Sequence, residues 1–187
     1  MRVITGSARG CRLDTLTGDD TRPTAEKVKE GLFSAIQFDI EGRRVLDLYA
    51  GSGQLGIEAL SRGAQSCIFV DRNPAAVQII RQNLQRARLA QLAQGVGTDA
   101  LSYLTRPKER FDLVFLDPPY SLGLLLPTLE KVAPLVSDGG LIVCESDDTI
   151  DLPPTVDGRF MLQKTYRYGR IRLWLYRYDD NFVKEES

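Results

Sequence analysis

Short apolar stretches recur along the chain at residues 44–49, 67–71, 93–97, 112–117 and 141–145, several of them ending at an acid or a glycine. Apolar runs of this length predict strands buried on both faces, as in a parallel sheet. Helical patterns lie between them. The clearest begins at Asn73-Pro74, where Asn is a good N-cap and Pro suits the first helical position. Its stripe of Val77, Ile80, Leu84 and Ala87 has helical spacing. A second helix is predicted over 54–62, closed by Gly63, and Asp99 caps a third that stops before Pro107. Residues 24–36 form an N-terminal helix with Ala25, Val28, Leu32 and Ile36 on one side. Strand followed by helix, repeated, predicts an open α/β sheet whose ligands bind at the carboxyl ends of the strands. After the fifth strand two β-rich runs, 159–168 and 170–178, meet at Gly169 and predict an antiparallel hairpin closing one edge.

Composition narrows the chemistry. A length of 187 residues fits one domain, and 43% hydrophobic with 26% charged residues is ordinary globular composition. No apolar run approaches the roughly 18 residues of a membrane helix, and the first residues lack a secretion signal, so a cytoplasmic protein with no membrane partner is expected. Cys11, Cys67 and Cys144 are odd in number and far apart, which suits reduced thiols better than disulfides or a metal knuckle. The chain has no histidine. That removes the commonest general base, the Ser-His and Cys-His pairs and the usual zinc motif, so no metal is expected and chemistry falls to carboxylates, backbone groups or a cofactor.

The net charge of −1 conceals an uneven distribution. Residues 159–178 carry six Lys or Arg and no acid, and residues 72–98 carry four Arg and no acid. Residues 109–158 hold ten acids against two bases. A basic face for a phosphate backbone is one reading of this asymmetry; scattered solvated charge is the other.

Gly51-Ser52-Gly53-Gln54-Leu55-Gly56 follows the first strand and opens a helix, the arrangement of a nucleotide-binding glycine loop. Asp47, four residues earlier, discriminates between cofactors. Its carboxylate would repel a pyrophosphate and attract the ammonium of S-adenosylmethionine. Asp71 closes the second strand, where an acid can accept from ribose hydroxyls, and Asp99 with Ala100 ends the third, near where an adenine amine would lie. Each also suits a purely structural role: Asp71 precedes the Asn73 cap, and Asp99 is itself a cap.

Asp117-Pro118-Pro119-Tyr120 follows the fourth strand. An exocyclic amine of a nucleobase is a poor nucleophile because its lone pair is delocalised into the ring. Two acceptors on its N–H bonds, the Asp117 carboxylate and the Pro118 carbonyl, would draw the nitrogen toward tetrahedral geometry, while Pro119 fixes the turn. Tyr120 offers a face for the base, a stacking contact of about 1–3 kcal/mol. The base must leave its stack to enter such a pocket, which favours loop RNA over intact duplex.

These motifs, together with Gly6-Ser7-Ala8-Arg9-Gly10, Thr21-Arg22-Pro23-Thr24, Val28-Lys29-Glu30 and Gly56-Ile57-Glu58-Ala59-Leu60-Ser61-Arg62-Gly63-Ala64, resemble those of the RsmD family of bacterial 16S ribosomal RNA guanine-N2 methyltransferases. The resemblance runs from Arg2 to about Tyr178. It implies a Rossmann-like class I S-adenosylmethionine-dependent methyltransferase with a seven-stranded, mostly parallel sheet, a C-terminal antiparallel hairpin and a short N-terminal extension. One domain is expected, with the extension over 1–40, the core over 41–178 and a frayed tail over 179–187. The residues expected to hold S-adenosylmethionine are Asp47, Tyr49, Ala50, Gly51, Ser52, Gly53, Asp71, Arg72, Asp99 and Ala100. Those expected at the guanine are Asp117, Pro118, Pro119 and Tyr120. Arg22 and Thr24 are expected to help close the site, and Arg9, Arg12 and Lys27 to contact RNA phosphates. Departures from the family pattern are the unusually apolar run 122–126 and the slightly acidic net charge, which point to a 30S subunit or assembly intermediate, rather than naked RNA, as the partner of a monomeric enzyme. Adenine-N6 methylation of DNA or RNA, a nicotinamide-dependent oxidoreductase and a non-catalytic RNA-binding factor stay open at this level.

Overall fold

Period-two alternation along the central strands divides their side chains between two faces, and helices cover both. The computed structural model describes residues 1–16, 23–105 and 109–180. Helix α1 (Pro23–Ala35) precedes the units β1 (Arg44–Leu48), α2 (Gln54–Ser61), β2 (Ser66–Asp71), α3 (Pro74–Arg86), β3 (Ala93–Gly97), α4 (Ala100–Leu104), β4 (Phe111–Leu116), α5 (Leu125–Val132) and β5 (Val136–Asp147). Strands β6 (Thr155–Val156), β7 (Phe160–Tyr168) and β8 (Ile171–Tyr178) follow. The sheet order is β3-β2-β1-β4-β5-β8-β7-β6, with β1 to β5 parallel and the last three antiparallel.

Val45, Leu113, Phe115, Leu141 and Val143 face one side and pack with Leu32 of α1, Ile57 of α2 and Ile80 of α3. Their neighbours Leu46, Leu48, Val114, Leu116, Ile142 and Cys144 face the other side, against Leu104 of α4 and Leu129 of α5. The predicted caps form. Asn73 Oδ1 accepts from Ala75 N at 3.0 Å and Asp99 Oδ1 from Ser102 N at 3.1 Å, each such cap contributing about 1 kcal/mol.

The expectation of seven strands is corrected to eight. The additional strand, β6, has two residues, too few to carry any periodicity, and pairs Thr155 with Met161 and Val156 with Phe160. Strand β5 is also longer than its apolar stretch, because its first turn of pairing crosses Gly139 and Gly140, where the register with β4 shifts. Helix α5 accounts for part of the apolar run 122–126: Leu125 and Leu129 are buried in it, whereas Leu122 and Leu126 stay exposed. The expected frayed tail lies, from residue 181 onward, outside the described residues. Among the described residues no helix is long and apolar enough to cross a membrane.

Candidate active site

Strands β1 and β4 are neighbours, yet the chain leaves them toward opposite edges of the sheet. A crevice opens outside the carboxyl ends of strands at such a switch point. Here it is a cleft of about 470 Å³ whose walls include Asp47, Gly51, Asp71, Asp99, Asp117, Tyr120 and Glu145. One cavity thus brings together the expected acceptor motif and the expected cofactor residues other than Gly53, which does not line it.

The glycines of the loop have separate tasks. Gly51 (φ +54°) and Gly53 (φ +77°) take left-handed conformations that non-glycine residues adopt reluctantly, and Gly53 N donates to Ala50 O at 2.7 Å to close the turn. Gly56 serves packing: a Cβ there would lie 2.3 Å from Phe69 Cε1 and 2.6 Å from Cys67 Sγ, so glycine lets α2 sit close on β2. Tyr49 is left-handed without being glycine (φ +62°). Thr128 Oγ1 spends its proton on Leu124 O, so the 2.6 Å contact between Tyr49 and Thr128 has the tyrosine hydroxyl donating. That bond anchors the strained turn to α5.

Alternation places Asp47 on the α2 side of the sheet with Val45. It is 2% exposed, and Oδ2 accepts from Gly56 N at 2.9 Å. Burial, aided by the nearby charge of Asp71, pushes its carboxyl up to about 7 against the single helix N–H that opposes the rise. Among the described residues it has no cationic partner. Asp71 accepts from Gly51 N at 2.9 Å and from Asn73 N at 2.8 Å, so it braces the loop from beside the cleft. Both structural roles weighed for Asp71 and Asp99 are therefore real, and both residues still line the cleft. Ala50, Ser52 and Ala100 are buried in its wall, and Arg72 is exposed at its rim.

On the acceptor side Pro118 is buried and Pro119 exposed. The Tyr120 hydroxyl donates to Glu145 Oε1 at 2.7 Å. Burial and the charges of Glu145 and Asp117 drive the Tyr120 pKa far upward, so the phenol stays protonated. Glu145 was not among the expected site residues. Its only local signal was that the fifth apolar stretch, like the first, second and fourth, has an acid at or near its end.

Four of the six bases in the C-terminal run are paired with acids, while Lys164 and Arg170 are exposed. Arg159 pairs with Asp157 at 2.7 Å, Arg167 with Asp148 at 2.8 Å, Arg172 with Asp151 at 2.8 Å and Arg177 with Asp39 at 2.7 Å. Arg9, Arg12 and Lys27 are exposed and form no ion pair among the described residues, which leaves them available to phosphates. Thr24 falls in the first turn of α1. Arg22 lies outside the described residues.

Two buried polar residues that sequence reasoning passed over hold this region together. Glu58, 0% exposed, accepts from Ile4 N at 2.8 Å, Thr5 N at 3.0 Å and Arg62 Nε at 2.9 Å, and pairs with the buried Lys29 at 3.1 Å. Asn83 donates to Ser52 O at 3.0 Å and Asp14 O at 2.9 Å and accepts from Asp14 N at 2.8 Å. The N-terminal arm, residues 1–14, is thereby bound to α2, α3 and the glycine loop.

This strand order, with acids at the ends of β1 and β2 and after β3, and Asp-Pro-Pro-Tyr after β4, defines an S-adenosylmethionine-dependent methyltransferase. The chain matches the family model described as Conserved hypothetical protein 95 over residues 1–177 and belongs to that family, the RsmD family. It is 43% identical over 183 residues to YlbH of Bacillus subtilis strain 168, covering 95% of this chain and 98% of the relative. It is 33% identical over 178 residues to the Ribosomal RNA small subunit methyltransferase D of Escherichia coli strain K12, covering 94% and 89%. Among solved structures, yhhF from Escherichia coli matches with a TM-score of 0.85 at 34% identity, covering 96% of this chain and 98% of that one.

Proposed function

We propose that this protein methylates the exocyclic N2 of a guanine in small-subunit ribosomal RNA, within a 30S particle or its assembly intermediate. The observation that carries this reading is the meeting of Asp117-Pro118-Pro119-Tyr120 with the glycine loop in one cleft. The names of the relatives support the RNA class, and the exposed Arg9, Arg12 and Lys27 supply cations for its phosphates. The protein works as a cytoplasmic monomer.

The residues fit the donor. Asp47, desolvated and holding one N–H, suits an ammonium; Asp71 suits ribose hydroxyls; and the open face of Gly51 admits a ligand against the backbone. When bound, S-adenosylmethionine supplies an electrophilic methyl group. Asp117 and the Pro118 carbonyl orient the guanine amine through its N–H bonds, and Tyr120 stacks on the ring. Holding nitrogen and methyl in line provides most of the acceleration. The amine becomes strongly acidic once alkylated, so its proton passes to the Asp117 carboxylate and on to water without a histidine.

The test is incubation with labelled S-adenosylmethionine and 30S particles from a strain lacking the activity, followed by nucleoside analysis. Label in N2-methylguanosine is the expected result. Label confined to adenosine, DNA or protein overturns the assignment.

A further inference from the structure

Glu145 is placed to do more than hold Tyr120. The parallel register that sets Phe115 beside Val143 and Leu116 beside Cys144 brings Asp117 level with Glu145 on adjacent strands. Alternation continues from Leu113 and Phe115 to Asp117, and from Leu141 and Val143 to Glu145, so both carboxylates stand on the α1 side of the sheet. There they line a small cavity with Gln54 and Leu32 that adjoins the main cleft. Glu145 Oε1 is taken by the Tyr120 hydroxyl, while Oε2 has no partner among the described residues. Gln54 Oε1 is buried and equally without one. The nearest cation in the wall, Lys29, is already committed to Glu58 and the Arg2 carbonyl. Burial raises the Glu145 carboxyl, as expected of a carboxylate short of donors. Among the described residues, two carboxylates and the Gln54 carbonyl gather at this end of the cleft with no cation aimed at Glu145.

Such an environment distinguishes the amino bases. The guanine amine is flanked by the ring N1–H, which makes a continuous row of donors. The adenine amine is flanked by N1 and N7 and the cytosine amine by N3, all acceptors. Resting on the methyl-transfer reading above, we infer that Glu145 is a specificity-determining residue: Oε2 accepts the N1–H of the target guanine while Asp117 accepts from its N2 amine. Adenine or cytosine would set a ring lone pair against a carboxylate, leaving buried polar groups unpaired on both sides. Tyr120 fixes which oxygen faces the base.

The probe is 2-aminopurine, which keeps the N2 amine of guanine and replaces N1–H by an acceptor. Reconstituted 30S particles would carry guanine or 2-aminopurine at the nucleotide that the wild type methylates. Wild type is expected to prefer guanine by at least about 100-fold in kcat/KM. In Glu145→Gln the Tyr120 hydroxyl still claims Oε1, so the amide NH2 faces the base, and the preference is expected to invert toward 2-aminopurine by about tenfold. Affinity for S-adenosylhomocysteine should stay within about twofold of wild type. Tyr120→Phe is expected to slow both substrates and keep the guanine preference. A Glu145→Gln enzyme that retains the wild-type preference, or loses both substrates equally with donor affinity intact, overturns the inference. A wild type that methylates neither particle overturns the ribosomal RNA reading instead, and the guanine assignment with it.

Discussion

Replacing Asp47 by Asn should move folding stability and donor affinity in opposite directions. The Asp47 carboxyl titrates near 7 in the folded protein against 3.8 for an unperturbed one. Because the folded value is raised, the native state holds a proton that the unfolded chain has released between about pH 4 and 7, and stability falls as pH climbs through that window. A rise of about three units at 1.36 kcal/mol each withdraws about 4 kcal/mol by pH 8. Asn is the same size, never ionises, and its carbonyl can still accept from Gly56 N. The ligand-free variant should therefore melt on the order of 10 °C above wild type at pH 8, given about 2–4 °C per kcal/mol for a chain of this size. That gap should narrow steadily toward pH 5. Donor binding should weaken, since a charge-assisted hydrogen bond of about 1.5–3 kcal/mol becomes a neutral one of about 0.5–1.5 kcal/mol, a loss of roughly 5- to 15-fold in Kd. Calorimetry of S-adenosylhomocysteine binding in two buffers of different ionisation enthalpy adds an independent readout. Wild type should release about half a proton at pH 7 as the ammonium forces Asp47 to ionise, and the variant should release none. A variant less stable than wild type at pH 8, or one with unchanged affinity and unchanged proton release, would refute this account of Asp47.

The other predictions concern the acceptor motif and the buried polar anchors. Asp117→Ala should reduce turnover on 30S particles by at least about 100-fold, the scale of losing an oriented polar contact to the reacting group, while S-adenosylhomocysteine binding by calorimetry stays near wild type. Glu58→Ala leaves Lys29 buried without its carboxylate and two arm N–H groups unpaired, so denaturant melts should show a loss of about 3–5 kcal/mol. Asn83→Ala should cost about 2–3 kcal/mol by the same measurement and weaken donor binding as well, because Ser52 loses its tether; wild-type donor affinity in a destabilised variant would disprove the link to the loop.

What could be read from the chain alone was what depends on near neighbours. The parallel strands, the Asn73 and Asp99 caps and the glycine turn each declare themselves within a few residues, and so does the pairing of Asp47 with the loop it precedes. Glu145 did not, because its meaning comes from β4: only the register with Asp117 turns a strand-end acid into part of a base pocket. Glu58 and Asn83 were missed for a related reason, their partners in the N-terminal arm lying more than 50 residues away in sequence. The pairing of most C-terminal arginines was equally out of sight. A count within 159–178 cannot see Asp39, Asp148, Asp151 and Asp157, which the fold sets against them.

The N-terminal arm carries a consequence for how the molecule is assembled during translation. It leaves the ribosome ahead of Glu58, Ser61 and Asn83, its anchors 53 to 69 positions downstream. At about 5–20 residues per second it must wait several seconds, solvated and unstructured, before any docking site exists. Since the same Asn83 amide clasps both the arm and the backbone of the nucleotide loop, competence to capture the donor matures late, as the arm closes over a partly formed sheet.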